Sequence, residues 1–133
     1  MTSLRIERTV PAPTVRVWRA LTDETALAAW FWPARLRPRA SVDASGFELT
    51  GEGIAVRGQY LEFAAPQRLR FTWHWDGEDG QTSVMIDLSG VDGATELRLH
   101  HEGFADDEAR DAHIVGWSEC LDRLPPYLAS EIP

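Results

Sequence analysis

Between Phe47 and His101 the apolar residues recur at every second position, and after Asp106 they recur at every third or fourth. This change of period constrains the fold more than any other feature of the chain. Period two gives a strand with one apolar face, and spacing near 3.6 gives a helix with one apolar stripe. The strand segments run through Phe47 and Leu49, Ile54 to Phe63, Leu69 to Trp75, Val84 to Leu88, and Leu97 to His101. Turn residues separate them: Thr50-Gly51-Glu52-Gly53, Pro66-Gln67, Asp76 to Gly80, and Val91-Asp92-Gly93. Links this short join antiparallel neighbours. Gly58 marks a bulge or a close backbone approach within its strand. The helical stripe is His113, Trp117, Cys120, Leu121 and Leu124. Asp106, Asp107, Glu108 and Asp111 fill its first turns, where carboxylates complement the helix dipole. Pro125-Pro126 is expected to kink or end the helix, with Tyr127-Leu128 adding a final turn.

Ahead of this block, Thr2 to Val10 alternates, with Leu4, Ile6 and Arg8 on one side, and reads as a first strand. Pro11-Ala12-Pro13 ends it. Val17, Trp18 and Leu21 follow at helical spacing. Thr22 or Asp23 caps a second short helix through about Ala29, which Trp30-Phe31-Trp32-Pro33 closes. Residues 34–45 carry Pro38 and polar side chains and read as irregular. The chain is therefore expected to be α+β: a curved antiparallel sheet of about six strands wrapped around a long C-terminal helix, with two short helices after the first strand. A sheet with one apolar face must cover it. Sheet and helix together can enclose more space than their side chains fill.

With 133 residues, the expectation is a single domain over 1–133. The net charge is −8, and all 13 basic residues are arginines. That balance argues against a nucleic-acid partner, which needs a basic surface. The absence of lysine excludes Schiff-base chemistry and a Walker-type phosphate lysine. Cys120 is the single cysteine, so no internal disulfide forms and a reducing compartment fits. Residues 1–8 show no signal-peptide pattern, and no apolar run reaches the ~20 residues of a membrane span. The expected location is cytoplasmic.

Several residue types bear on chemistry. The aromatic set Trp18, Trp30, Phe31, Trp32, Phe47, Phe71, Trp73, Trp75 and Trp117 either packs a core or lines a cavity. Trp30, Phe47, Trp73 and Trp117 are the candidate lining residues. His101 shares a strand face with Leu97 and Leu99, and His113 lies one turn before Trp117. From opposite walls these two could orient a ligand by hydrogen bonding, or serve as satisfied buried histidines. His100, His101, Glu102 and His113 do not make a metal site, because adjacent strand residues point to opposite faces. The acidic turn at Asp76, Glu78 and Asp79 lacks the calcium-loop pattern. Arg35, Arg37 and Arg39 could receive an anion, or simply be solvated. No nucleophile elbow or phosphate loop occurs. No catalytic residue and no cofactor are assigned, and whether the chain is an enzyme stays open.

Four blocks carry a family resemblance: Ala12 to Pro33 (APTVRVWRALTDETALAAWFWP), Gly58 to Trp75 (GQYLEFAAPQRLRFTWHW), Thr95 to Gly103 (TELRLHHEG) and Gly116 to Leu128 (GWSECLDRLPPYL). In this order they resemble the START-like (SRPBCC, helix-grip) superfamily, and within it the branch named after the activator of heat-shock-protein-90 ATPase. The resemblance covers nearly the whole chain. It implies the helix-grip topology and a hydrophobic cavity, with a small apolar or aromatic molecule as the expected partner. The family name adds an alternative, a module that assists a chaperone ATPase. The wider superfamily adds another, a cyclase- or hydrolase-like enzyme on an aromatic substrate. A homodimer would follow if Trp30-Phe31-Trp32 were exposed.

Overall fold

In the computed structural model, residues 2–130 are described. The elements follow in the order β1 (Thr2–Val10), α1 (Thr14–Thr22), α2 (Glu24–Trp30), a 3-10 turn (Ala34–Leu36), β2 (Arg39–Val42), β3 (Gly46–Gly51), β4 (Ile54–Ala64), β5 (Arg68–Trp75), β6 (Thr82–Val91), β7 (Ala94–Phe104) and α3 (Asp107–Ser130). The strands form one antiparallel sheet in the order β1-β7-β6-β5-β4-β3-β2. Strands β2 to β7 are a meander, and β1 returns to pair with β7 from Ser3↔Glu102 to Val10↔Thr95. The curved sheet and the long terminal helix make the expected helix-grip α+β fold.

Seven strands replace the expected six, because β2 lies in the stretch read as irregular. It is a four-residue edge strand just after Pro38, too short to show alternation. It pairs with β3 from Arg39↔Thr50 to Val42↔Phe47. The Val42 N–H also donates to Glu24 Oε1 on α2, at 3.0 Å.

Gly58 is a close-approach point. An added Cβ would collide with the Thr72 carbonyl and the Phe47 ring. Opposite it the ladder loosens, and the Gln59 N–H donates instead to Thr72 Oγ1 at 2.8 Å. The register shift falls further on, between Tyr60 and Glu62. Leu61 is the bulged residue there and is exposed.

The helices cover the apolar sheet face. Asp23 caps α2, its carboxylate accepting from the Ala26 N–H at 2.9 Å. Asp106 does the same for α3, accepting from the Ala109 N–H at 2.8 Å. Trp117, Cys120, Leu121, Leu124 and Leu128 are buried along one face of α3. They meet a sheet face built from Leu4, Ile6, Val84, Ile86, Leu97 and Leu99. Pro125 and Pro126 do not end this helix, which runs on to Ser130. Proline inside a helix costs about 3 kcal/mol. Two anchors hold the last turn against that cost. Leu124 and Leu128 are fully buried on either side of the pair, and Arg16 Nη2 donates to the Leu128 carbonyl at 2.6 Å.

The aromatic run after α2 is not a surface patch. Trp30 and Phe31 are buried, and Trp32 is half-buried, stacked on Trp75 with centroids 6.1 Å apart. The exposure that a dimer through this run required is therefore missing, because the run folds inward over β5 and α3. Among the described residues no helix is long and apolar enough to cross a membrane.

Candidate functional site

Between the first half of α3, the segment after α2, and β5 lies a cleft of about 330 Å³. Its walls are Phe31 and Trp32, Trp73 and Trp75 of β5, and His113 and Trp117 of α3. Arg35, Gly116, Glu119 and Arg123 stand around it. Behind it is a smaller cavity of about 30 Å³, room enough for a water molecule. Leu21, Leu27, Phe47, Leu49, Tyr60, Leu69, Phe71 and Ile86 line that inner space. Phe31, Trp73 and Trp117 border both spaces and form the partition between them. Their rings pack at tilted or edge-on angles, with Trp73 and Trp117 5.2 Å apart and Phe31 and Trp117 5.6 Å apart.

The two candidate histidines face each other, with ring centroids 5.1 Å apart. Each accepts a hydrogen bond from a tryptophan. Trp117 Nε1–H donates to His101 Nδ1 at 3.0 Å, and Trp75 Nε1–H donates to His113 Nε2 at 3.0 Å. An indole nitrogen only donates, so both accepting nitrogens lack a proton. The hydrogen of His101 therefore sits on Nε2, 2.6 Å from Thr82 Oγ1. The hydrogen of His113 sits on Nδ1 and donates to the Ala109 carbonyl at 2.8 Å. All four ring nitrogens are engaged within the protein. His101 is fully buried, and its pKa falls from 6.5 to about 3, chiefly through burial and then through His113 and His100 nearby. Burial excludes the imidazolium form, which would also lose the Trp117 bond.

The remaining candidates divide. Trp117 and Trp73 stand in the partition, and Phe47 lines the inner cavity. His113 is on the cleft wall, whereas His101 borders neither space and stands behind Trp117. Trp30 also borders neither. It is packed in the core, and its N–H donates to the Ala20 carbonyl at 2.8 Å. Trp73 differs from every residue above. Its Nε1 is buried and has no hydrogen-bond partner among the described residues.

Trp32 and Trp75, in the aromatic set but not among its lining candidates, stand on the wall with Arg35 at the rim, and Arg123 is a rim residue that the sequence reading did not single out. Arg123 is the most structural of them. Its Nε and Nη2 donate to the carbonyls of Trp30 and Phe31, at 3.2 and 2.7 Å. These are unsatisfied carbonyls at the end of α2, so the guanidinium caps that helix from α3. The only hint in the sequence is a charged residue set inside the apolar stripe. Of the three arginines at 35, 37 and 39, only Arg35 borders the cleft. Arg37 instead lies 3.9 Å from Glu52 at the surface.

Two titratable groups beside these spaces are held in their neutral forms. The Cys120 thiol borders the cleft but is buried, and burial pushes its pKa well up. Burial, with Asp43 adding to it, pushes the Tyr60 hydroxyl up to about 12. Among the described residues no three His, Cys, Asp or Glu side chains converge to hold a metal ion. A polar groove of about 380 Å³ lies on another part of the sheet, lined by Asp43, Glu48, Arg57, Gln59, His74 and Gln81 among others.

A helix-grip domain with an aromatic cleft beside its terminal helix is the class that fold and site define. Within that class the family is specific. Residues 11–129 match the family described as Activator of Hsp90 ATPase homolog 1-like protein, and the chain belongs to it. The AHSA1 protein of Silicibacter pomeroyi is similar at 28% identity, with 98% of this chain and 100% of that one covered and a TM-score of 0.82. Protein CV1439 of Chromobacterium violaceum is similar at 26% identity, with 95% and 96% covered and a TM-score of 0.80. An HSP90 activator from Plasmodium falciparum shares the fold, at 20% identity, 97% of each chain covered and a TM-score of 0.76. The chain matches no curated protein.

Proposed function

We propose that the chain binds a small apolar or aromatic molecule in the cleft between the sheet and α3. The observation that carries this reading is the cleft of about 330 Å³ walled by six aromatic or imidazole rings. Ligand pockets of this kind are mostly apolar with a few placed polar groups, and 300 Å³ or so is their usual lower bound. Trp73, Trp117 and His113 would touch the ligand first, and Phe47 would meet it where it reaches the inner cavity. Trp30 and His101 would support that wall from behind. Binding fits the geometry better than turnover, since both histidines already have partners on each nitrogen.

The family description supports a second reading, a cofactor of a chaperone ATPase. One pair of measurements separates the two. Native mass spectrometry of the freshly purified protein should show a discrete extra mass that is lost on denaturation, and Gly116→Phe, which puts a ring at the cleft where no neighbour is touched, should abolish it with the fold retained. No extra mass, together with a changed ATPase rate when the protein is added to an Hsp90-type chaperone, would favour the second reading.

A further inference from the structure

On the reading of the cleft as a ligand site, we infer that its ligand is an aromatic compound carrying a negative group, such as a carboxylate, and that Arg35 receives that group at the rim. Three charged side chains stand at the cleft: Arg35, Arg123 and Glu119. His113 on its wall adds no charge, because Nε2 accepts from Trp75 and the Nδ1 hydrogen goes to the Ala109 carbonyl. Two guanidinium groups against one carboxylate leave the cleft positive, on a chain whose net charge is −8. A ligand with one negative group brings the cleft to neutrality, whereas a cation adds to the excess.

Neither arginine is neutralised from within the described residues. Arg123 donates through Nε and Nη2 to the Trp30 and Phe31 carbonyls, which fix its guanidinium without supplying a counter-ion. Arg35 sits in the exposed 3-10 turn Ala34–Leu36 and makes no hydrogen bond or ion pair there. Its neighbour Arg37 lies beside Glu52 instead. Glu119 is exposed on α3 and pairs with neither cleft arginine. A guanidinium is a planar fork of donors that meets a carboxylate in two parallel hydrogen bonds. The division of labour follows from exposure. Buried rings take the apolar frame of the ligand, and an exposed arginine takes its charge at the wet edge, where little hydration is lost.

The test is a matched pair of probes, 2-naphthoate and 2-naphthamide, which share a shape and differ in charge. Each is titrated at about pH 7 into 15N-labelled wild-type protein, and the six indole N–H signals report binding at the cleft. Naphthoate should bind about tenfold more tightly, since a hydrogen bond to a charged group is worth more than a neutral one. In Arg35→Gln, at an exposed position whose side chain holds nothing else in place, the preference should fall to within about twofold. The wild-type comparison stands without the variant. Naphthamide binding wild type as tightly as naphthoate, or a preference undiminished in Arg35→Gln, would overturn the inference and leave the ligand cleft standing. No shift of any indole signal by either probe would overturn the cleft reading along with it.

Discussion

The molecule makes the same bond twice, an indole N–H donated to a histidine, and places the two copies in different surroundings. Trp117 and His101 join α3 to β7 behind the aromatic partition, where His101 is wholly buried. Trp75 and His113 join β5 to α3 on the cleft wall, where both rings are half-buried. At one position the bond belongs to the core, and breaking it strands two polar groups away from water. At the other, water can replace either partner. The contrast shows that the chemistry of a pair does not set its importance here; the depth at which the fold places it does.

Three measurements sharpen or break this contrast. The largest effect is expected from His101→Ala, which opens a cavity, leaves Trp117 Nε1–H unpaired and removes the His101 donor from Thr82 Oγ1, whose hydroxyl keeps the Trp73 carbonyl. It should cost about 3–5 kcal/mol in denaturant unfolding, from the lost packing plus the orphaned Trp117 donor. A loss under about 1.5 kcal/mol would show that the inner pair is not held by the core.

The next effect is a dependence on pH. The folded pKa of His101 lies below its ordinary 6.5, near 3, so the unfolded chain takes a proton that the native state excludes. Stability is therefore whole above about pH 6.5 and falls as pH drops toward about 3, by about 1.4 kcal/mol per unit. Between about pH 6.5 and pH 5, before carboxylates titrate, wild type should lose about 1.6 kcal/mol. His101→Gln, which keeps an acceptor and a donor, should lose markedly less over the same range. Identical slopes would remove His101 as the source.

The smallest effect belongs to the outer pair. His113→Ala should cost only about 1 kcal/mol, since the Trp75 N–H can turn to water. A cost equal to that of His101→Ala would erase the distinction between the two pairs.

Most of the fold was legible because its signals are local. Alternation marked six of the strands, Asp23 was one of two cap candidates, and the stripe from Trp117 to Leu124 marked α3. Strand β2 was hidden because four residues beside a proline cannot show a period. The prolines in α3 misled because propensity speaks only for the isolated helix, and here Leu124, Leu128 and Arg16 decide the matter. At the site the residue types were legible and their partners were not. Trp30 and Trp73 look alike in sequence, yet one N–H meets the Ala20 carbonyl and the other meets no acceptor among the described residues. The bond from Trp75 to His113 spans 38 residues, and the clamp of Arg123 on Trp30 spans 93. No local pattern reports a contact that only the closed fold creates.

Gly116 sits in mid-helix on the cleft side of α3, exposed, with open space where a Cβ would be. A glycine there makes the helix weaker by about 0.5–1 kcal/mol than an alanine would. Nothing in the packing requires that sacrifice, since no neighbour would be touched. The missing methyl instead widens the mouth beside Trp117 and His113. On the proposed reading of the cleft, the firmness of α3 and the ease of ligand entry are thus set by one atom, and a variant engineered for heat resistance at this position would trade away the width of its own doorway.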